Sequence, residues 1–520
     1  MNRAVQGRSA FAFGCLCLVA LTNALVQTQP TRPSPAKIAD AVDAMASRAL
    51  KLGILSGVGV AITMDGRIAY ARAFGWADAS ARIAANNDTL WYIASTSKSF
   101  TGFAVALLAH RGALRIDAPI ATVLPQALWH PSVRSQSLTL AHFLSHTHDL
   151  DDRAIVMSAA YTGEISEREW PLLLAKAERK PVHALEYGNL GYNVAAMAID
   201  AVRPEGWRRF LEEAVYQPAG LRNTFARVSG LDDRRIAKPH SLRGDATYRT
   251  ETFLKTDATM NSAGGHLSTI RDLARWTIVQ MDGGRIDGRQ VFAAQAVALS
   301  HQLLARHTSD QARRFAYFDR EGWGAGWDLG SYEGEPMIGR FGGYHSFRSH
   351  LSFLPRRRIG VVAVANGGLG SAFTSLLAAY VYDLEAGRSS ALARANARMA
   401  ELEANLRRAV TEAGDEAEEL LRQRATLSAA DADRLVGRYH EAEFGTIVIE
   451  QQNDRLIYRW GAMRGDVRAV DLVHWTARLD IAGTETRMEI NHSQLGEITG
   501  VSIQGQSFVK LTPTDPSTGR

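Results

Sequence analysis

The sequence predicts an α/β protein of the α+β kind, an antiparallel sheet flanked by helices, followed by a small antiparallel β-barrel. Three observations carry that prediction. An early run, "GVGVAITMDGRIAYARAFGWAD", alternates around Asp65-Gly66 and reads as a hairpin. Two late runs, "SHLSFLP" and "IGVVAVANG", read as strands joined by an Arg-rich turn, so strands open and close the first domain while helices fill its middle. From Ser428 onward the texture changes to short strands at close spacing, as in a small barrel. A chain of 520 residues has room for this at roughly 100–200 residues per domain.

The elements follow in order. Arg3 and Arg8 precede an apolar stretch, Ala10 to Leu25, with small residues Thr22 and Ala24 and then a polar run. Residues 1–28 therefore read as a secretory signal peptide, and the chain is expected to be periplasmic or secreted. The alternative for the same segment is a short membrane anchor, since ~17 apolar residues is the lower limit for spanning; after cleavage no stable membrane span is expected. Ser34 can cap a first helix with Pro35 in its first turn, and Ile38, Val42, Met45 and Ala49 share one face. Ser95 to His110 is helix-like and apolar nearly all round, the pattern of a helix at the centre of a domain, with Gly112 ending it. Further helices are expected near Ala141, Leu190 and Arg271. Residues 34–386 form the first domain in this reading. Residues 387–427, rich in Ala, Glu and Arg, read as an amphipathic helical linker with Leu392, Met399 and Leu406 seven apart and a break near Gly414-Asp415. Residues 428–513 form the barrel, expected to fold separately and to carry no catalytic group.

Charge and cysteine content narrow the chemistry. Net charge is +5, from 59 Lys+Arg against 54 Asp+Glu, and the one basic cluster is Arg356-Arg357-Arg358 in the turn. Nucleic-acid binding is not expected from so dispersed a charge. Both cysteines, Cys15 and Cys17, lie in the N-terminal apolar segment, so a processed chain has no disulfide, no cysteine nucleophile and no cysteine-based metal site. His146 and His148 form an H-x-H without a third nearby ligand, and no metal or other cofactor is expected.

The segment "YIASTSKSF" holds Ser95 and Lys98 three apart. On a helix such a pair shares a face, ~5–6 Å apart at Cβ. Burial of that face would favour a neutral lysine, able to take the Ser95 proton and leave a nucleophile. The bland reading of a bare S-x-x-K is an N-capping serine and a lysine reaching outward.

The rest of the chain weighs against the bland reading. "YIASTSKSFTGFAVALLAHRGALRIDAPIATVLP" resembles the nucleophile helix of the serine β-lactamase and penicillin-binding-protein superfamily, most closely its class C-like esterase and D-aminopeptidase branch. "LTLAHFLSHTHDL", "LEYGNLGYNVAAMAID", "FLEEAVYQPAGLRNTFA", "SAGGHLSTIRDLARW" and "GWGAGWDLGSYEGEPMIGRFGGYHSFRSHLSFLP" are similar to the landmarks that follow, in the same order. The resemblance covers about Ala36 to Asp383, and the C-terminal segment resembles the lipocalin-like barrel often appended to this branch. It implies the β-lactamase/transpeptidase-like fold with a helical subdomain. It also implies roles. Ser95 would attack an acyl carbon with Lys98 as base or proton shuttle. Tyr187 would exchange protons with Ser95 or the leaving group, and Asn189 would orient Lys98. Backbone N–H groups of Ser95 and Gly343, beside Gly342, would form the oxyanion hole. The alternatives are a core tyrosine and a turn asparagine.

Two positions depart from the pattern. Arg340 stands where Lys or His is usual, and Phe341 replaces a Thr or Ser whose hydroxyl many relatives use on a substrate carboxylate. Arg340 is expected to hold the site's positive charge; the competing placement is a surface pair with Glu333 or Glu335. The expected function is an exported serine hydrolase that forms an acyl-enzyme at Ser95 and hydrolyses an ester or amide, as an esterase or D-amino-acid peptidase. The substrate would be a small molecule or a peptide of the kind cell walls supply. The competing functions are a β-lactamase or penicillin-binding carboxypeptidase, which Phe341 disfavours, and a catalytically silent cell-wall-peptide-binding protein.

Overall fold

A computed structural model describes residues 32–512, apart from 152, 181–185, 309–316, 425–427, 454 and 482–483. The apolar N-terminal segment read as a signal peptide lies outside the described residues.

The first domain is built on a nine-stranded sheet of antiparallel pairs. Its strands are β1 (Gly57–Met64), β2 (Arg67–Asp78), β3 (Ile83–Ala84), β4 (Ala305–Arg306), β5 (Asp319–Trp323), β6 (Asp328–Tyr332), β7 (Glu335–Tyr344), β8 (Phe347–Leu354) and β9 (Ile359–Asn366). The spatial order is β4-β5-β6-β7-β8-β9-β1-β2-β3. The early hairpin therefore joins the late strands directly, with Val58 opposite Ala365 and Met64 opposite Ile359. This central place explains why β1 is buried along its whole length instead of alternating. Helices cover both faces. On one side lie α1 (Pro35–Lys51) and, later in the chain, α5 (Gly370–Glu385); on the other lie α2 (Lys98–His110), α3 (Leu190–Val202) and α4 (Ile270–Met281). α1 starts as expected, with Ser34 Oγ accepting from the Lys37 N–H and Ile38, Val42, Met45 and Ala49 buried.

α2 differs from expectation at its start. Ser95 sits on a 3-10 turn, Ala94–Ser97, and the α-helix begins only at Lys98. Ala94 has a left-handed backbone, φ 46, so the chain reverses sharply just before Ser95. The helix behind the turn is buried from Lys98 through Leu108, and Trp276 Nε1 donates to Ser99 Oγ at 3.1 Å from α4.

The presumed linker is α6 (Ala391–Arg424), and it is not a free connector. Ala391, Ala395, Met399, Leu402 and Leu406 belong to the same core as α1 and α5. Leu392 is 56% exposed, so the heptad picked out by sequence is off by one position at its first member. No break occurs at Gly414, where α6 crosses closely over Gly244.

The C-terminal strands, β10 (Gly437–Glu441), β11 (Gly445–Gln452), β12 (Arg455–Trp460), β13 (Met463–Asp471), β14 (Thr476–Ile481), β15 (Thr484–His492), β16 (Ile498–Ile503) and β17 (Gln506–Lys510), close into a barrel in chain order. The last strand returns to the first, with Tyr439 opposite Lys510. The barrel docks on residues 153–165 of the first domain. Ala154, Met157 and Tyr161 pack on its apolar core, Ala462 N–H donates to Thr162 O at 2.7 Å, and Lys176 pairs with Glu443 at 3.2 Å. Gly461 makes this fit: its φ is 56, and a methyl there would fall 2.1 Å from Thr162 O. Gly461→Val combines backbone strain with a steric clash, so it is expected to destabilise the docked form by about 1–3 kcal/mol. Limited proteolysis should then cut between the two units faster than in the parent; an unchanged cleavage rate and melting curve would refute this account of the docking.

Candidate active site

The 3-10 turn Ala94–Ser97 brings Ser95 to the floor of a cleft of about 1060 Å³. Lys98, one turn on, is fully buried. Its Nζ donates to Ser95 Oγ at 3.3 Å, Asn189 Oδ1 at 2.7 Å and Ala263 O at 2.8 Å. Each acceptor comes from a different segment. Asn189 immediately precedes α3, and Ala263 belongs to the loop that Thr101 Oγ1 ties to α2 through Ser262 O at 2.7 Å. The lysine does not reach outward to solvent, as the bland reading of the motif required.

Arg340, on β7, is also buried and faces Ser95. Its Nε donates to Ser95 O at 2.8 Å and its Nη2 to the Tyr187 hydroxyl at 2.5 Å. The competing surface placement fails, because Glu333 pairs instead with Arg394 and Arg388. Strand alternation turns Phe341 the other way, where its ring meets His350 at 4.9 Å and Phe318 at 6.2 Å. Gly342 is pressed against the Ser95 turn: a methyl on it would lie 2.2 Å from Ile93 O and 3.1 Å from Ser95 N. Only glycine allows β7 to approach Ser95 this closely. Gly343 follows on the exposed rim and lines the cleft with Ser95 and Tyr187.

Tyr187 keeps 39% of its surface accessible, yet its hydroxyl is ringed by Arg340, Lys98 and Ser95. Desolvation pushes the phenol up. The charges of Arg340 and Lys98, with hydrogen bonds to Ser95 and Lys98, outweigh it and bring the pKa down to about 8. The other thirteen of the 14 tyrosines all move up, burial being the main cause.

The structure adds residues that motif reading passed over. Trp323, quoted within "GWGAGWDLG" but given no role, stacks on Tyr187 at 5.4 Å and 18° and lies 4.9 Å from the Arg340 guanidinium. Behind it, Arg320 Nε donates to Asp328 Oδ2 at 2.8 Å and His307 Nε2 lies 3.3 Å from Asp328 Oδ1. Nothing local marks these positions, since their partners are brought in by β4, β5 and β6. His146 packs its ring on Tyr187 and Trp323, whereas His148 stacks on Phe143 at 5.1 Å, so the H-x-H pair does not converge. Barrel residues Phe444, Trp460, Ile481, Thr486, Ile503, Gln504 and Gln506 line the same cleft as Ser95. The barrel is thus a wall of the site, which its sequence did not announce.

The sequence profile of the β-lactamase family matches residues 42–384. The chain therefore belongs to the β-lactamase family, a family of serine hydrolases with a large antiparallel sheet between helices. Among curated relatives, it is 24% identical over 321 residues to "Penicillin-binding protein 4" of Amycolatopsis lactamdurans, covering 61% of this chain and 82% of that one. It is 20% identical over 329 residues to "Protein flp" of Staphylococcus aureus, covering 62% of each. Among solved structures, the octameric penicillin-binding protein homologue from Pyrococcus abyssi matches with a TM-score of 0.57 and 16% identity over 90% of this chain and 98% of that one. The D-amino acid amidase from Ochrobactrum anthropi matches with a TM-score of 0.55 and 20% identity over 70% and 99%. These likenesses establish the fold.

Because one tyrosine is set apart from thirteen, ultraviolet titration of tyrosinate should resolve a single group ionising near pH 8. Tyr187→Phe should remove that step, and Arg340→Ala should move it upward. A titration in which all tyrosines ionise together above pH 10 would contradict the arrangement.

Proposed function

We propose that this chain hydrolyses esters or amides through an acyl-enzyme at Ser95. The observation that carries this reading is the convergence of Lys98 Nζ on Ser95 Oγ beside a phenol lowered to about 8 by two cations. Tyr187, as phenolate, accepts the Ser95 proton while Oγ bonds to the acyl carbon; Lys98 and Arg340 hold the resulting charge balance. The oxyanion is received by the N–H groups of Ser95 and Gly343, each donor worth about 3–4 kcal/mol. The bond to the leaving oxygen or nitrogen then breaks, and that atom takes the proton back from Tyr187. Water, deprotonated in the same way, attacks the acyl carbon and releases Ser95 with its proton.

The family and the fold neighbours, among them EstCE1, a hydrolase with promiscuous acyltransferase activity, and a D-amino acid amidase, support an esterase or D-amino-acid peptidase type of reaction on a small molecule or peptide. A silent binding protein would have no use for a phenol held near ionisation by two cations, so catalysis is favoured over that reading. We place the enzyme outside the cytoplasm on the strength of the N-terminal segment Arg3 to Leu25; no helix among the described residues is long and apolar enough to cross a membrane.

Ser95→Ala should abolish turnover of chromogenic esters and labelling by a fluorophosphonate with an unchanged circular dichroism spectrum; hydrolysis at a comparable rate would sink the assignment. The active phenolate is lost as pH falls through about 8, so kcat/KM should drop about tenfold per pH unit below that point. Arg340→Ala removes a charge that lowers the phenol. Its limb should therefore shift upward, toward the ordinary tyrosine value of about 10, with kcat/KM reduced roughly ten- to a thousand-fold. An unmoved limb would show that Tyr187 is not the base.

A further inference from the structure

Arg348 opens β8 directly opposite Gly343, and its side chain lines the cleft. A methyl placed on Gly343 would lie 3.7 Å from Arg348 Nη1 and 3.8 Å from Cζ, so the guanidinium rests against the glycine next to the nucleophile turn. Nη1 is fixed by the carbonyls of His345 at 2.5 Å and Phe347 at 2.7 Å. Among the described residues no carboxylate is bonded to Arg348, whose hydrogen bonds go to these two carbonyls. On its other side the stem of Arg348 touches the start of α5, where a methyl on Gly370 would come 3.2 Å from Cγ. From that helix Ser371 and Ser375 line the same cleft. Ser375 is 93% buried, being 7% exposed.

A desolvated guanidinium without a counter-charge is costly, and burial does push Arg348 down from its ordinary value. The planar fork suits a carboxylate better than any other small anion of peptides or organic acids. We infer that Arg348, with the hydroxyls of Ser375 and Ser371, forms a subsite for a carboxylate carried by the substrate. This rests on the reading of Ser95 as nucleophile. It also revises the weight given to Phe341: the hydroxyl lost there is not needed if the carboxylate is held one strand away, by a residue the motif does not include. The substrate class becomes an ester or amide bearing a free carboxylate within reach of the reacting carbonyl.

The test uses two pairs of esters with the full chain: monophenyl glutarate against methyl phenyl glutarate, and 3-acetoxybenzoate against methyl 3-acetoxybenzoate. The first pair places the carboxylate on the acyl part and the second on the leaving group. In at least one pair the ratio of kcat/KM, acid over methyl ester, should be about tenfold or more higher in the parent than in Arg348→Gln, the span of a lost charged hydrogen bond. Arg348→Lys should retain part of the preference, and Ser375→Ala should lower it by about two- to threefold. Ratios equal in parent and Arg348→Gln for both pairs would overturn the inference. Should Arg348→Gln fail to fold, Arg348→Lys and Ser375→Ala decide, and ratios unchanged in both overturn it. Calorimetric binding of the same esters to Ser95→Ala separates the two readings. Tighter binding of the acid, lost with Arg348→Gln, supports the subsite even if the parent hydrolyses nothing and resists labelling, which would sink only the nucleophile. Equal binding of acid and methyl ester in that background overturns the subsite.

Discussion

The contact between the buried Lys98 amine and its oxygen acceptors organises this protein. A lysine at the centre of a domain must find acceptors or the fold loses several kcal/mol. Those acceptors cannot come from its own helix. They arrive from the Ser95 turn, from the residue ahead of α3 and from the loop after Met260. Satisfying one amine therefore fixes the mutual placement of the Ser95 turn and two further segments, and the geometry around Ser95 is a by-product of satisfying a buried donor.

Arg340 extends the same logic across the cleft. It binds the carbonyl of Ser95 and the hydroxyl of Tyr187 at once, so one side chain of β7 ties both groups together across the cleft. Trp323 then presses on both partners, which ties the ionisation of Tyr187 to packing in the outer strands of the sheet.

The sequence made the fold legible where pattern is local: the Asp65-Gly66 hairpin, the apolar helix after Ser95, and the strands flanking the Arg-rich turn. The positions Ser95, Lys98, Tyr187, Asn189 and Arg340 were reached through the order of motifs, and the structure brings all of them to one place. What sequence could not convey depended on faces meeting across long separations. Trp323, His307 and Asp328 acquire their neighbours only when β4 to β6 assemble. Arg348 looks like any polar strand residue until β7 is laid beside it. The run from Ala391 read as a connector because its charges dominate its composition, but its alanines and Met399 find a core on α1 and α5. The barrel was visible as a barrel; that its rim would wall the cleft was not, since docking depends on a fit such as Gly461 over Thr162.

The pairing of β1 with β9 at the middle of the sheet sets a timetable for the chain. Val58 finds Ala365 only after most of the first domain has been made, so its central ladder is among the last contacts that synthesis permits. Topologies dominated by such distant pairings fold slowly, because loop closure comes before its reward. Until then β1, apolar along its length, is an open edge exposed to other chains. Sheet order thus sets when the first domain can be completed, since its central ladder joins residues near its two ends.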